Sequence, residues 1–142
     1  MKPREEFSAG GILYKEIEGK RLWLIVKSSA HGFWGFPKGH IADTIKNETK
    51  EEASLREVAE ETGIIGSIIQ PAPYTMSYLF QLYGKPIHKT VYYFLMKWES
   101  GEIKRQVEEI HKVEFIEEEK LLDTITYEND KKAFIFLTHR FK

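Results

Sequence analysis

"LREVAEETGI", residues 55–64, sets Arg56, Glu57, Glu60 and Glu61 into six consecutive positions. The surrounding residues favour a helix, which brings Glu57, Glu60 and Glu61, at i, i+3 and i+4, onto one face. Glutamate-rich faces are common and are usually only solvated. Two costs argue against that plain reading here. Like charges one turn apart repel, and Glu60 and Glu61 stand just before Gly63, where a helix C-terminus already carries partial negative charge. A sequence shaped by stability alone would place lysine there. Three carboxylates on one face become favourable when a divalent cation neutralises them, and hard oxygen ligands suit Mg²⁺ or Mn²⁺. Arg56, one turn from Glu60, is placed to hold that carboxylate through a forked hydrogen bond.

The rest of the chain bounds what such a site can serve. No repeat, low-complexity tract or Pro/Ser linker divides it, so residues 1–142 are expected to form one domain with its own core. A hydrophobic share of 42% and an aromatic share of 13% exclude disorder. With 21 Lys plus Arg against 22 Asp plus Glu the net charge is −1. No global attraction to nucleic acid or anionic membrane follows from that balance, although a local basic lining or a bound cation suffices for a small anion. Cysteine is absent, which removes disulfides, thiolate catalysis and thiolate metal sites. No apolar run approaches the roughly 18 residues of a membrane span, and "MKPREEFSAGG" lacks the apolar core of a secretion signal. A cytoplasmic protein without a membrane partner is expected.

Working outward, the acidic helix should run from about Thr49 to Thr62 and stop at Gly63, which tolerates left-handed dihedrals. Its apolar stripe, Ala53, Leu55, Val58, Ala59 and Thr62, falls roughly opposite the acids, so docking by one side only is expected. Upstream, "FSAGGILYKEI" and "RLWLIVKSS" read as strands joined by a turn at "EGK". The segment "HGFWGFPKGHIADTIKN", punctuated by Gly32, Gly35, Pro37 and Gly39, reads as a structured loop. Downstream, strands are expected near "IIGSIIQ", "YTMSYLFQLY" and "KTVYYFLMKW", with a hairpin turn around Gly84. A short strand "KVEFI", a small helix "EEEKLL" and a terminal amphipathic helix over "YENDKKAFIFLTHRF" complete the chain. Strands and helices in this order imply an α+β fold, layered α/β/α around a mixed sheet.

The run "GFWGFPKGH" adjoins the helix in sequence. Gly39 allows close approach of the backbone, so its carbonyl is a candidate metal ligand. Lys38 is a point charge suited to phosphate. Phe33 and Phe36 are expected in the core. His31, His40 and His88 lie in segments that could face phosphates, and His40, beside Gly39, is the strongest of the three.

Taken together, "GHIADTIKNETKEEASLREVAEETGI" resembles the Nudix box, the loop-helix-loop signature of the Nudix hydrolases. Gly39, Glu48, Arg56, Glu57, Val58, Glu60, Glu61, Gly63 and Ile64 match it. The departure is the run 40–47, eight positions where the signature has five, without its usual Pro-Gly turn. The resemblance implies the Nudix fold, a mixed sheet between helices. It also implies a Mg²⁺-dependent hydrolase, with Mn²⁺ as substitute, cleaving a nucleoside diphosphate linked to another group. Gly39, Glu57, Glu60 and Glu61 would hold metal, Glu48 would act as a further or outer ligand, and Glu60 and Arg56 would belong to the catalytic group. A phosphoanhydride repels an incoming hydroxide, and cations bridging the phosphates neutralise that charge.

With the flanking runs "EFSAGGILY" and "HKTVYYFLMKW", the chain looks most like the diadenosine tetraphosphate hydrolase branch. That resemblance implies Lys89, with Lys38 and His40, on the phosphates, and Tyr93 and Tyr127 on an adenine. Stacking of that kind is worth roughly 1–3 kcal/mol per base, while half-buried sheet packing is an equal account of either tyrosine and the preferred one for Tyr92. It also implies Glu109 as the base that accepts the proton of the attacking water, with Glu108 as the neighbour that would replace it. The expected partner is a small nucleotide, with no nucleic acid, on a monomer or weak homodimer. Hydrolysis of a nucleoside triphosphate, ADP-ribose or an RNA 5′-triphosphate end is the nearest alternative, and a non-catalytic nucleotide sensor the next. An isomerase of this fold would need additional His and Cys ligands, and the sequence has no cysteine and no clustered histidines.

Overall fold

Strand β1 (Arg4–Ile17) organises the molecule, because its two edges are used differently. One edge pairs in parallel with β7 (Lys85–Ser100), from Arg4 opposite Ile87 to Tyr14 opposite Lys97. The other edge is shared. Residues Tyr14–Ile17 pair with β2 (Lys20–Ser28), while Ser8–Gly10 pair with the short β4 (Lys38–His40). Strand β2 turns away to pair with β3 (Trp34–Gly35) and β8 (Ile110–Glu117), so a gap opens between β2 and β4. Strands β5 (Ile65–Ile68) and β6 (Tyr74–Leu82) divide the outer edge of β7 in the same way. The computed structural model describes residues 2–42, 46–106, 108 and 110–141.

Period-two alternation along the central strands sends side chains to two cores. Ile12, Trp23, Ile25, Tyr93 and Leu95 face one side, packed with Leu121 of α2 (Glu118–Thr124) and Ala133, Phe134 and Leu137 of α3 (Glu128–Thr138). Leu13, Leu24, Phe94 and Met96 face the other side, against Val58 of α1 (Lys50–Thr62) and Ile64. This is the expected α+β sandwich. Among the described residues no helix is long and apolar enough to cross a membrane.

Helix α1 is fixed at both ends by its sequence. Thr49 caps it, accepting from the Glu52 amide at 3.1 Å while the Glu52 carboxylate accepts from the Thr49 amide at 3.0 Å, a reciprocal box. Gly63, at φ 82°, ends it in the left-handed region. The "EGK" and Gly84 turns lie where expected, with left-handed residues at Glu18–Gly19 and Tyr83–Gly84. Two expectations fail. The Gly-rich run 31–47 carries strands β3 and β4, because its backbone groups complete the free edges of β2 and β1. In α1 the acids do not lie opposite the apolar stripe: Glu57 and Glu61 are only 8% and 5% exposed, on the buried side with Ala53 and Val58. Strand β4 passes over them there.

Candidate active site

The acidic helix and β4 meet at Gly39. A Cβ at that position would overlap the Glu57 carboxylate, so only glycine lets the strand pass so close to the helix. Glu61 is held from the same strand, its Oε1 accepting from the Lys38 amide at 3.1 Å. Glu60, with 42% of its side chain exposed, points outward.

Arg56 gathers the remaining carboxylates. Its fork goes to Glu48, Nε to Oε2 at 2.5 Å and Nη2 to Oε1 at 2.9 Å, rather than to Glu60 as the helix spacing suggested. Nη1 donates to Glu57 at 2.8 Å and to Glu60 at 3.1 Å, and Nη2 also reaches the His40 carbonyl at 3.1 Å. The Ala42 amide donates to Glu48 at 3.0 Å. The guanidinium, foremost among these contacts, holds the Glu48 carboxyl below the usual carboxylate range against the opposing effect of burial. The same bond to Glu48 raises Arg56.

Among the described residues no three His, Asp or Glu side chains converge at metal-ligand spacing. Arg56 draws Glu57 and Glu60 towards itself, and Glu61 turns to the Lys38 amide. The donor set still fits a hard divalent cation. Three carboxylates issue from one helix, and Gly39 leaves the Glu57 carboxylate in contact with bare backbone. A cation would draw Glu57 and Glu60 away from Arg56 Nη1, leaving the Glu48 fork intact.

Glu61 and Lys38 also line a cleft of about 680 Å³ that continues to Phe33, Tyr78 and Tyr127. Tyr127 is 51% exposed and meets the Phe33 ring edge-on at 5.5 Å. Phe33 is exposed at this cleft rather than in the core, stacked at 5.6 Å on His31, whereas Phe36 is buried as expected. Tyr93 fails as a stacking residue. It is 0% exposed, its ring packs edge-on against Phe36 at 5.8 Å, and its hydroxyl donates to Asp130 at 3.1 Å. Burial, followed by Asp130, pushes that phenol well above its ordinary value. The sheet register explains the failure, since Tyr93 shares the face of Val91 and Leu95 at the middle of the core.

Two cleft residues were not singled out from the sequence. Tyr78 follows Tyr74 and Met76 at period two on β6, a signal that places it on the α3 face but cannot say how far the cover extends. Asp130 lines the cleft from the first turn of α3, and burial raises its carboxyl, against Lys38 and the Tyr93 hydroxyl. Lys89 stands opposite Tyr78 across the β6–β7 pair, and burial, then Lys38, lowers its ammonium. His40 lines a different hollow from Lys38, with its Nε2 3.7 Å from Glu6. Glu109 lies outside the described residues; Glu108 is exposed, and Ile110 lines the cleft.

Comparison with known proteins bears on the family of the chain. A family model described as the NUDIX domain matches residues 7–137. A curated relative of Mycobacterium tuberculosis (strain CDC 1551 / Oshkosh), named "Putative mutator protein MutT4", is 35% identical over 138 residues, covering 93% of this chain and 54% of that protein. This chain therefore spans about half the length of that curated relative. Among solved structures, a C. elegans Ap4A hydrolase binary complex is 25% identical, with a TM-score of 0.72 over 92% of this chain and 98% of that one. The NUDIX domain of Shewanella oneidensis NrtR, complexed with ADP ribose, shares the fold at 18% identity, with a TM-score of 0.73 over 100% of this chain and 91% of that one.

Proposed function

The chain belongs to the Nudix family, and from that premise we propose that it hydrolyses a phosphoanhydride of a nucleoside diphosphate derivative, cleaving diadenosine tetraphosphate asymmetrically to ATP and AMP. One observation carries the reading: a single cleft joins the acidic helix, through Glu61 and Lys38, to exposed aromatic rings at Tyr78 and Tyr127. Its volume suits one nucleotide. The likeness to the C. elegans Ap4A hydrolase supports the choice of substrate.

In this reading Tyr127 and Tyr78 bind the adenine, Tyr78 replacing the buried Tyr93, and Lys38 and Lys89 hold the polyphosphate. The charge on Lys89, costly beside Lys38, becomes favourable when phosphate lies between them. Mg²⁺, or Mn²⁺ in its place, held by Glu57, Glu60, Glu61 and the Gly39 carbonyl, would neutralise the phosphates and acidify water. Arg56 keeps Glu48 and Glu57 oriented through its fork and its single bond. Glu109, next to cleft-lining Ile110, accepts the proton of the attacking water; full turnover in Glu109→Gln would remove that role.

A second reading, hydrolysis of a mononucleoside triphosphate, draws on the relative named as a mutator protein. Asp130 favours it too, as a carboxyl at the cleft able to hydrogen-bond a base edge. One experiment decides between them. The protein is incubated with diadenosine tetraphosphate and Mg²⁺, the nucleotides are resolved by chromatography, and Glu61→Gln serves as control. Equal ATP and AMP, lost in the variant, are expected. Turnover of nucleoside triphosphates alone would replace the first reading with the second.

A further inference from the structure

Strand β4 stands between two hollows. Lys38, at its start, lines the cleft, and His40, two residues on and roughly 6.6 Å along the strand, lines a second hollow of about 580 Å³. This second hollow borders the same carboxylate network. Its wall includes Ala42, whose amide donates to Glu48 at 3.0 Å, and the His40 carbonyl accepts from Arg56 at 3.1 Å. Its surface is aromatic. Phe7 is 44% exposed, and Tyr92 carries the Lys50 ammonium 5.7 Å from its ring centroid. Glu5, Glu6 and Ile41 complete the lining.

Two carboxylates disfavour a phosphate in this hollow, but they suit a neutral heterocycle with exocyclic N–H donors lying on Phe7 and Tyr92. We propose that the second hollow receives the second nucleoside of a dinucleoside polyphosphate, with Phe7 and Lys50 as its specificity-determining residues. The polyphosphate then follows β4 from Lys38 past Gly39, where the Glu57 carboxylate lies against the backbone, and ends at the rim of the hollow beside His40. This inference rests on the dinucleotide reading given above. It adds that the enzyme recognises both ends of its substrate, one base in each hollow.

The test compares two substrates that differ only at that end, diadenosine tetraphosphate and adenosine 5′-tetraphosphate. Phe7→Ala should raise KM for the dinucleotide roughly tenfold, the scale of one lost stacking contact, and leave KM for the mononucleotide unchanged. Lys50→Gln should act in the same direction more weakly, as an independent variant on another element. Equal effects on both substrates, or none on either, with the wild type still cleaving the dinucleotide, would overturn this inference alone. A wild-type protein that cleaves adenosine tetraphosphate but no dinucleotide would overturn the dinucleotide reading, and this inference with it.

Discussion

Helix α1 and the aromatic cleft share Glu61, yet they are built by opposite means. The helix supplies Arg56, Glu57, Glu60 and Glu61 from one turn and a half of continuous chain, and each side chain is tied to a neighbour or to a β4 amide. The cleft is assembled from β4, β6, α3 and the segment before β3, and its outer rings, Phe33 and Tyr127, stay exposed. A network tied at every member is costly to alter, whereas rings on separate elements can change one at a time. Under the proposed function, phosphoanhydride chemistry belongs to the first kind of region, and choice of nucleoside to the second.

The largest effect should come from cutting the fixed region at its hub. Arg56→Ala leaves the Glu48 side chain, 1% exposed, as an unpaired buried charge, and should cost about 3–5 kcal/mol in chemical denaturation. A loss well below that would show the network to be slack. Next, Glu57→Gln should lower turnover by at least about 100-fold, beyond the effect of removing an outer metal partner, with a smaller stability loss than Arg56→Ala because the Glu48 fork stays intact. Chelation of divalent cations should abolish turnover and Mg²⁺ restore it. Smaller again, Tyr127→Ala should raise KM about tenfold. Tyr93→Phe should leave KM unchanged and cost about 1–3 kcal/mol of stability, because the Asp130 carboxyl loses a buried donor. A reversal of those two tyrosine results would return Tyr93 to the base site.

The smallest effect is a pH dependence. The folded-state pKa of Glu48 lies below its unfolded value, so its contribution to stability is complete above the ordinary carboxylate range, near 4, and is lost as pH falls through the folded value. The melting temperature should be level from pH 7 to about 5 with respect to this group and fall below that. Glu48→Gln should flatten the acid limb.

The difference between the regions also explains what the sequence could convey. Helix spacing is local, so the acids, the Thr49 start and the Gly63 stop of α1 were legible from residues a few positions apart. Local spacing did not reveal that β4 covers Glu57 and Glu61, nor that the Arg56 fork goes to Glu48, because both depend on where a distant strand and loop return. The alternation in β7 separated Tyr92 from Tyr93 but could not rank them. Which face of the sheet is roofed at residue 93 is decided by Phe36 and Asp130, far away in the chain. Tyr78 escaped notice for the converse reason: it has the same alternation on β6, where the roof ends.

The claim that these two regions form one nucleotide site is tested most directly by a crystal structure with Mg²⁺ and a non-hydrolysable diadenosine tetraphosphate analogue. The account predicts metal on Glu57, Glu60 and Glu61, phosphates beside Lys38, and an adenine against Tyr127 and Tyr78. Metal held by other residues, or an analogue bound away from the cleft, would contradict it.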